Sequence, residues 1–402
     1  MRIRLVAVGA AASASLWLAP VVGSPADPCG PGDVSLGPGS QPAACWRPYA
    51  AGSPFNRPIP PNPPLDPHSG AIVHRVLGFG RPQNLLAGTA GRGELDGGRP
   101  IYFSRPGDPV FKPHCTEHWG RCTIEGALIR IPDRAQPAGG SDAHLTVIDP
   151  ASGWEYDFWG VSSKPGGGGT LVIRWGGKTR VDGSGLGSDA VAAQYGTAAG
   201  VLRAEELASG QIDHALFMTV KCDSGRHVYP ATKHGSPCSS DNLPNTDAPA
   251  EGTRFQLAMS DGQISALSVP DWKKVILRAM ARYGMIVGDT GGTWGIGVDS
   301  GVVYTSFGQP DRWVTLAQQW GVPYYAGDRD YIFDLGGGVE WGRYLRVVSS
   351  CVSRGSCGGG SGGGPGPPHP GASAPLALRS RGAHQAHGHG RGHPHAPRPR
   401  GR

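Results

Sequence analysis

Two neighbouring segments of the chain alternate polar with apolar positions, which is the pattern of half-buried β-strands. In the first segment, Asp142 and His144 are predicted to share one face of the strand. In the second, Glu155, Asp157 and Trp159 are predicted to share one face, and the aromatic residues between them pack on the other. A short turn separates the two segments, so they are predicted to pair as a hairpin. The strands are expected at Asp142–Thr146 and Trp154–Trp159, and the turn at Asp149–Gly153.

Further segments follow the helical or the strand periodicity. The clearest helix is predicted at Trp272–Tyr283, where apolar residues recur at helical spacing and Gly284 follows as a stop signal. A short helix is predicted at Leu202–Ser209, before Gly210. Other strands are predicted at Pro100–Ser104, Ala127–Ile131, Thr170–Trp175, Ile212–Val220, Phe255–Met259, Met285–Asp289, Tyr331–Leu335 and Tyr344–Val348, a turn at Gly176–Gly177, a helix at Pro310–Trp320, and a helix or strand at Ser69–Leu77.

Composition favours a fold that is rich in strands and turns. The chain has 66 glycines and 38 prolines among its 402 residues, which is far above average usage. Such a composition is typical of turn-rich β architecture rather than of helical bundles. We therefore predict a mainly β protein, an antiparallel β-sandwich or jelly roll with a few peripheral α-helices.

Four regions of the chain differ in character. Residues 1–26 have a basic start and an apolar run, which is typical of a secretory signal peptide. Residues 27–70 are rich in proline and are expected to lie as an extended arm across the domain surface. Residues 71–350 contain the predicted elements and form the β-rich domain. Residues 351–402 are mostly Gly, Pro, His and Arg and are expected to be a disordered tail.

The formal net charge of +6 comes from the end of the chain. Residues 358–402 contain six arginines, six histidines and no acidic residue, so the remainder is close to neutral. The basic balance therefore does not indicate a nucleic-acid-binding domain. After the first apolar run, no other is long enough to span a membrane. We expect a secreted protein without a nucleic-acid partner or a membrane span, and the sequence leaves its oligomeric state open.

The eight cysteines are arranged as neighbours along the sequence. An even number of cysteines after a signal peptide indicates disulfide bonds, although spacing alone does not fix the connectivity. In an oxidising compartment, disulfide formation is also favoured over binding of zinc by Cys115, Cys122 and the nearby histidines. No metal and no cofactor are expected. The simplest pairing joins Cys29 to Cys45, Cys115 to Cys122, Cys222 to Cys238 and Cys351 to Cys357.

Carboxylates on the second hairpin strand point to carbohydrate chemistry. Hydrolysis of a glycosidic bond uses a pair of carboxyl groups, one as acid and the other as nucleophile or base. Glu155 and Asp157 are two residues apart on one strand face, and neighbouring carboxylates raise one another's pKa. They are therefore the predicted acid and nucleophile. An ordinary solvent-facing strand with the same charges is the alternative.

Several other side chains are predicted to complete the site. Asp142 is placed to orient His144 for proton transfer, and Glu206 to orient His214, with a purely structural hydrogen bond as the alternative in each case. Asp289 begins an Asp-Thr-Gly-Gly run and is expected in a turn or as a ligand contact at the cleft edge. Sugar rings stack on indole faces, and neighbouring cationic side chains help to hold the sugar. The predicted substrate-binding residues are Trp159, Arg174, Trp175 and Arg203.

Two longer motifs carry a resemblance to a known family. They are Arg203-Ala-Glu-Glu-Leu-Ala-Ser-Gly-Gln-Ile-Asp-His-Ala-Leu216 and Tyr283-Gly-Met-Ile-Val-Gly-Asp-Thr-Gly-Gly292. The chain resembles a family of secreted proteins of high-GC actinobacteria over roughly residues 52–310. The resemblance implies secretion, a β-rich fold and, for some members, a part in polysaccharide handling. It assigns no catalytic residue.

These observations lead to one functional expectation and two alternatives. We expect a secreted carbohydrate-active enzyme that cleaves glycosidic bonds of an extracellular polysaccharide or cell-wall glycan, with hydrolysis favoured. In a lyase, His144 or His214 removes the α-proton of a uronate while an arginine neutralises its carboxylate. In a non-catalytic glycan-binding or cell-envelope protein, the same cleft binds sugar without turnover.

Overall fold

The computed structural model describes residues 36–85, 96–327 and 329–357, which belong to one compact unit. The expected signal peptide and most of the expected tail lie outside these residues. The strands are β1 (Ile101–Phe103), β2 (Val110–Cys115), β3 (Ile129–Arg130), β4 (Leu145–Asp149), β5 (Trp154–Trp159), β6 (Gly169–Ile173), β7 (Trp175–Arg180), β8 (Leu216–Val220), β9 (Arg254–Leu257), β10 (Met285–Thr290), β11 (Trp294–Ile296), β12 (Tyr324–Tyr325), β13 (Asp330–Tyr331) and β14 (Leu345–Val348).

Eight α-helices accompany these strands within the described residues. They are α1 (Ser69–Gly78), α2 (Ala204–Ser209), α3 (Asp261–Ser265), α4 (Asp271–Arg282), α5 (Val302–Thr305), α6 (Arg312–Gln319), α7 (Trp341–Tyr344) and α8 (Ser350–Arg354). The predicted helices at 202–209, 272–283 and 310–320 correspond to α2, α4 and α6. The segment at residues 69–77, for which either a helix or a strand was predicted, forms the helix α1.

Two larger sheets form the framework of the protein. The first has the strand order β1-β4-β5-β7, and the second has the order β11-β8-β10-β9-β14. Smaller sheets are formed by β3-β2-β6 and by β12-β13. In the first sheet, β4 and β5 pair antiparallel with Thr146 opposite Asp157, which confirms the predicted hairpin. This sheet carries the residues on which the functional prediction depends.

The fold class is confirmed in its coarse form. Strand exceeds helix, at 23% against 19%. The expectation of purely antiparallel sheets is wrong, because β1 pairs parallel with β4, β2 with β6, and β8 with β10. Two parallel neighbouring strands need a long connection between them. Local sequence patterns therefore cannot predict which distant strands pair in this way.

The helix α4 shows how its sequence produces its packing. Trp272, Ile276, Leu277 and Met280 are buried along one side, because their spacing places them on a single face. Burying each of these large side chains contributes roughly 1.5–3 kcal/mol relative to exposure. The helix packs against β9, and Gly284 follows it with a positive φ of 77° that favours glycine.

Four local predictions need correction. Gly176 and Gly177 lie inside β7 rather than in a turn, because the chain turns at Arg174 between β6 and β7. His214 precedes β8 instead of lying within it, and Asp142 lies in a turn before β4. The boundary expected at residue 351 falls within the helix α8, which precedes the undescribed part of the tail.

The Pro-rich arm lies on the surface only in part, because its large aromatic residues are buried. Trp46, Tyr49 and Phe55 are among the largest fully buried side chains of the described residues. Phe55 packs against Tyr195 with ring centroids 5.0 Å apart, and its carbonyl accepts a hydrogen bond of 2.7 Å from Ala215 N. The arm is therefore part of the core, where its aromatic residues cover polar side chains of the first sheet.

Three of the expected disulfides are confirmed. The structure joins Cys115 to Cys122, Cys222 to Cys238 and Cys351 to Cys357. The fourth expected pair includes Cys29, which lies outside the described residues. Among the described residues, no helix combines the length and the apolar character needed to cross a bilayer.

Candidate functional site

Glu155 lies on β5 in a closed polar environment. Its side chain is fully buried. One carboxyl oxygen accepts a hydrogen bond of 2.7 Å from the Tyr49 hydroxyl, and the other accepts one of 2.8 Å from Ala198 N. Burial, followed by the neighbouring Asp157 carboxylate, raises the pKa of Glu155 well above its ordinary value. The environment therefore favours the protonated form of the predicted acid, but no solvent reaches it in this structure.

Asp157 is enclosed in the same way. Its two carboxyl oxygens accept hydrogen bonds of 2.9 Å from Thr146 Oγ1 and 2.6 Å from Ser188 Oγ. Burial raises the pKa of Asp157, although the hydrogen bond from Ser188 opposes this effect. The structure thus brings the two predicted carboxyl groups together on one face, as expected, but seals both beneath other parts of the chain.

Two glycines permit this seal. A Cβ atom at Gly177 would collide with the backbone of Ser188 and Asp189, and one at Gly196 would collide with the Tyr49 hydroxyl and Glu155. Without side chains at these positions, residues 188–198 and the arm lie directly on the sheet. The alternation along β5 gives no sign of this cover, because the covering segments are distant in sequence.

Arg203, Glu206 and His214 form a second buried cluster. One Glu206 carboxyl oxygen lies 3.4 Å from Arg203 Nη2 and 3.1 Å from His214 Nε2. Burial alone would raise the pKa of Glu206, but the charges of Arg203 and His214 outweigh it and leave this pKa lowered. Burial alone would lower the pKa of His214, but Glu206 outweighs it and leaves this pKa raised. The cluster is therefore an internal ion network.

Besides its contact with Glu206, Arg203 anchors the Pro-rich arm. Its guanidinium donates hydrogen bonds to the carbonyls of Pro42, Ala43, Ala44 and Trp46 at 3.0–3.3 Å. The cavity beside this cluster has room for about 10 Å³, which is about the size of one water probe. Arg203, Glu206 and His214 therefore line no space that a sugar could enter.

A different group of predicted residues does line an open cavity, which we call the tryptophan cleft. It has a volume of about 340 Å³. The Trp119 ring lies 5.5 Å from the Trp159 ring and 5.8 Å from the Trp175 ring, measured between centroids. Trp119 is 60% exposed, although an indole of this size is usually well covered. The cleft is lined by Trp119, Trp159 and Trp175 together with Asp142, Asp189, Asp289, Lys233 and neighbouring residues.

Polar contacts fix the orientation of the central indole of this cleft. Trp159 Nε1 donates a hydrogen bond of 3.1 Å to Asp142. The Arg174 guanidinium lies 5.3 Å from the Trp159 ring centroid, which is within the range of a cation–π contact. Asp142, Trp159, Arg174 and Trp175 therefore lie together near the end of β5, whereas Glu155, Asp157 and His214, predicted for the same pocket, do not line this cleft.

Asp289 forms the acidic wall of the tryptophan cleft. Its carboxylate lies 3.6 Å from Arg99 Nη2 and accepts a hydrogen bond of 2.9 Å from Thr290 N. Burial raises the pKa of Asp289, Asp142 adds to this effect, and Arg99 opposes it, so that the net shift is upward. The arrangement places a partly buried carboxyl group beside the exposed Asp142.

His144 lies behind Asp142, away from the indoles. Both residues line an adjoining cavity of about 250 Å³. Burial, followed by the charge of Arg99, lowers the pKa of His144 to about 3, so its imidazole is neutral at physiological pH. Among the described residues, nothing forms a hydrogen bond with His144 Nδ1 or with Arg99 Nη1, although both atoms are buried.

Another cavity lies elsewhere in the described residues. It has a volume of about 490 Å³, and His68, Arg226, His227 and Asp247 are among its lining residues. No predicted site residue contributes to it, and it lacks an exposed aromatic face. Within the described residues, no group of three or more His, Cys, Asp or Glu side chains is arranged to hold a metal ion.

Sequence patterns missed several residues of the tryptophan cleft. Trp119 lies in the short loop closed by the Cys115–Cys122 disulfide, where no periodicity applies. Lys233, which lines the cleft, and Arg99, which lies beside Asp289 behind it, are in segments without regular structure. Asp289 was expected in a turn or as a ligand contact at a cleft edge, and the structure places it within β10, where it lines the tryptophan cleft. No protein-family model, curated protein or solved structure matches this chain.

Proposed function

We propose that this protein is secreted and binds a polysaccharide in the tryptophan cleft. The observation that carries the proposal is the group of three neighbouring indoles, one of them largely exposed, beside carboxylate and ammonium side chains. Indole faces cover the apolar faces of sugar rings, and polar side chains at the edge bind hydroxyl groups. The three disulfides are compatible with an oxidising extracellular compartment.

Cleavage of a glycosidic bond is a second candidate function. Asp289, whose pKa is raised mainly by burial, has the character of an acid, and the exposed Asp142 has the character of its partner. Both line the cleft that carries the indoles. In this version of the expected enzyme, the reacting carboxyl groups are those of the cleft rather than those of Glu155 and Asp157.

A lyase version uses the neighbouring histidine. Burial lowers the pKa of His144 to about 3, so its imidazole is neutral but weakly basic, and it becomes an effective base only when it is less buried. Arg99 lies close enough to affect that pKa and would supply the cation that a uronate carboxylate requires. His144 and Arg99 are both buried, so this version requires the wall between the 250 Å³ cavity and the tryptophan cleft to open.

The two motifs that resemble secreted actinobacterial proteins lie in different parts of the structure. Arg203, Glu206 and His214 belong to the longer motif, and in the structure they form the internal ion network. Asp289 belongs to the shorter motif and lines the cleft. We propose that the first motif maintains the fold and that the second contributes to the site.

Binding to a panel of cellulose, xylan, laminarin, chitosan and hyaluronan tests the proposal. We expect at least one polymer to bind, and Trp119→Ala to weaken its binding roughly 10- to 30-fold, as loss of an aromatic hot spot does. Tyr325→Ala is the matched control, because Tyr325 is a similarly exposed aromatic residue outside the cleft. Equal binding by wild type and Trp119→Ala, or no binding to any polymer, would contradict the proposal.

Product formation separates binding from catalysis. New reducing ends indicate hydrolysis, and new ultraviolet absorbance indicates the unsaturated product of a lyase. If the cleft hydrolyses the polymer, Asp289→Asn abolishes product and retains binding, whereas Glu155→Gln retains both. If Glu155→Gln abolishes product and Asp289→Asn does not, Glu155 is the acid. If neither the wild type nor the variants form product, the protein binds the polymer without cleaving it.

A further inference from the structure

Trp175 separates two neighbouring cavities. One is the tryptophan cleft, and the other is a groove of about 440 Å³ on the Cys115–Cys122 loop. Trp175 lines both, so the cleft and the groove adjoin along this one side chain. We call the second cavity the loop groove, and its lining includes His114, Glu117, His118, Arg121, Glu125 and Trp175.

The loop groove has a rigid wall. Glu125 accepts hydrogen bonds of 2.6 Å from Cys115 N and 3.3 Å from His114 Nδ1. The Cys115–Cys122 disulfide closes the loop beside this wall. These contacts fix the shape of the groove without occupying the other polar groups that line it.

Three side chains of the loop groove are available to a ligand. The side chains of Glu117, His118 and Arg121 have no hydrogen bond or ion pair with any residue that the structure describes. Together they offer carboxylate acceptors, guanidinium donors and an imidazole that does both. Hydroxyl groups of a sugar both donate and accept, so this combination suits them.

Each of the two cavities is large enough to hold part of a glycan chain. Sites for small molecules have volumes of about 300–1,000 Å³. The tryptophan cleft, at about 340 Å³, and the loop groove, at about 440 Å³, each reach this range separately. A polysaccharide of the proposed kind, being a chain of repeating units, is able to occupy both cavities by crossing Trp175.

We infer that the bound glycan extends from the tryptophan cleft across Trp175 into the loop groove, so that the protein selects long chains over short oligosaccharides. This inference rests on the proposed function. It adds that the ligand is a long chain and that residues of the loop groove bind the part of it beyond the tryptophan cleft. Trp119 belongs to the same loop, and its indole contacts Trp175 on the cleft side. One disulfide-closed loop thus contributes to both halves of the extended site.

Binding of cello-, xylo- and chito-oligosaccharides from disaccharide to hexasaccharide tests the inference. For the series whose polymer binds, we expect affinity to rise with each unit beyond the disaccharide. The double variant Glu117→Ala, His118→Ala is expected to weaken hexasaccharide binding roughly three- to tenfold, since about two hydrogen bonds are lost. The loss for the disaccharide is expected to be smaller, because it is short enough to bind in the cleft alone.

His227→Ala is the matched control, since His227 is an exposed histidine that lines the separate 490 Å³ cavity. It is expected to leave both affinities unchanged. Affinity that stops rising at the disaccharide, or equal losses for both lengths in the double variant, would overturn the inference while Trp119→Ala still upholds glycan binding. Binding of no oligosaccharide and no polymer would instead remove the proposed function.

Discussion

The Tyr49 hydroxyl donates a hydrogen bond of 2.7 Å to Glu155, which lies 106 residues further along the chain. Both side chains are buried, and the contact joins the Pro-rich arm to the middle of the first sheet. Burial and the charges of Glu155 and Asp157 also raise the pKa of Tyr49, so its hydroxyl remains a donor. A carboxyl group in this position is a structural acid, held inside the protein by the arm.

Removal of this hydroxyl is expected to destabilise the fold. Tyr49→Phe leaves Glu155 buried with one hydrogen bond fewer, which costs about 1–3 kcal/mol. Urea unfolding monitored by tryptophan fluorescence measures the change. Tyr325→Phe, at an exposed position, is the control and should leave the free energy of unfolding unchanged. An equal effect in both variants would mean that the contact with Glu155 contributes nothing.

Glu155→Gln is expected to gain stability relative to wild type as pH rises. The folded-state pKa of Glu155 is raised, so between its unfolded value of about 4.3 and its folded value the native state binds more protons than the unfolded state. Wild-type stability therefore falls with rising pH across this window. The amide does not titrate, and it has the shape of the protonated acid. Parallel stability curves for the two proteins from pH 4 upward would contradict the raised pKa.

His144 is expected to make the protein sensitive to acid. Its folded-state pKa is about 3, below its unfolded value of about 6.5, so unfolding takes up a proton between these values. The contribution of the neutral imidazole is fully present above pH 6.5 and is lost as pH falls toward 3. His144→Gln should flatten this part of the stability profile, whereas His118→Gln, at an exposed position, should not. An unchanged profile in His144→Gln would show that another group titrates.

The buried ion network is expected to be essential for folding. Glu206→Gln removes the counter-charge of both Arg203 and His214, and breaking a buried pair in this way costs about 3–5 kcal/mol. Glu340→Gln, which removes an exposed pair with Arg343, should have little effect. Unfolding by urea at neutral pH compares the two variants, and similar values for both would contradict a structural role of the network.

The contribution of the same network to the free energy of unfolding is expected to have a maximum as pH changes. The lowered pKa of Glu206 means that its contribution is present above about pH 4.3 and is lost as pH falls through the folded value. The raised pKa of His214 means that its contribution is full below about pH 6.5 and is lost as pH rises through the folded value. The stability difference between wild type and Glu206→Gln should therefore be largest between these limits.

The Cys115–Cys122 disulfide is expected to support binding more than stability. It closes the loop that carries Trp119, so the double variant Cys115→Ser, Cys122→Ser leaves this indole free to leave the cleft. Ordering it again on binding costs about 0.5–1.5 kcal/mol, which is roughly a two- to tenfold loss of affinity for the polymer found in the panel. The corresponding change at Cys351 and Cys357, a loop of similar length, should leave affinity unaltered. Equal affinities in the two double variants would contradict the role of the loop.

The sequence predicts those parts of the fold that depend on neighbouring residues. The β4–β5 hairpin follows from alternation and a short turn, and α4 follows from its apolar spacing and Gly284. The three local disulfides follow from the order of the cysteines. In each case the determining interactions are local.

The predicted site is less complete because burial is decided by distant segments. Glu155 and Trp159 are predicted on one strand face, yet Tyr49 and Ala198 cover the first while the second lines an open cleft. No pattern within β5 distinguishes them. Trp119 reaches the cleft from an irregular loop, so its position depends on tertiary structure alone.

The burial of the Pro-rich arm also constrains the order of folding. Tyr49 binds Glu155, and Arg47 donates a hydrogen bond to the carbonyl of Asp213, 166 residues later. An arm that is synthesised early therefore cannot form both contacts until residue 213 has been synthesised. Contacts of such long sequence separation slow folding. The aromatic residues of the arm remain exposed until the segments that cover them have been synthesised.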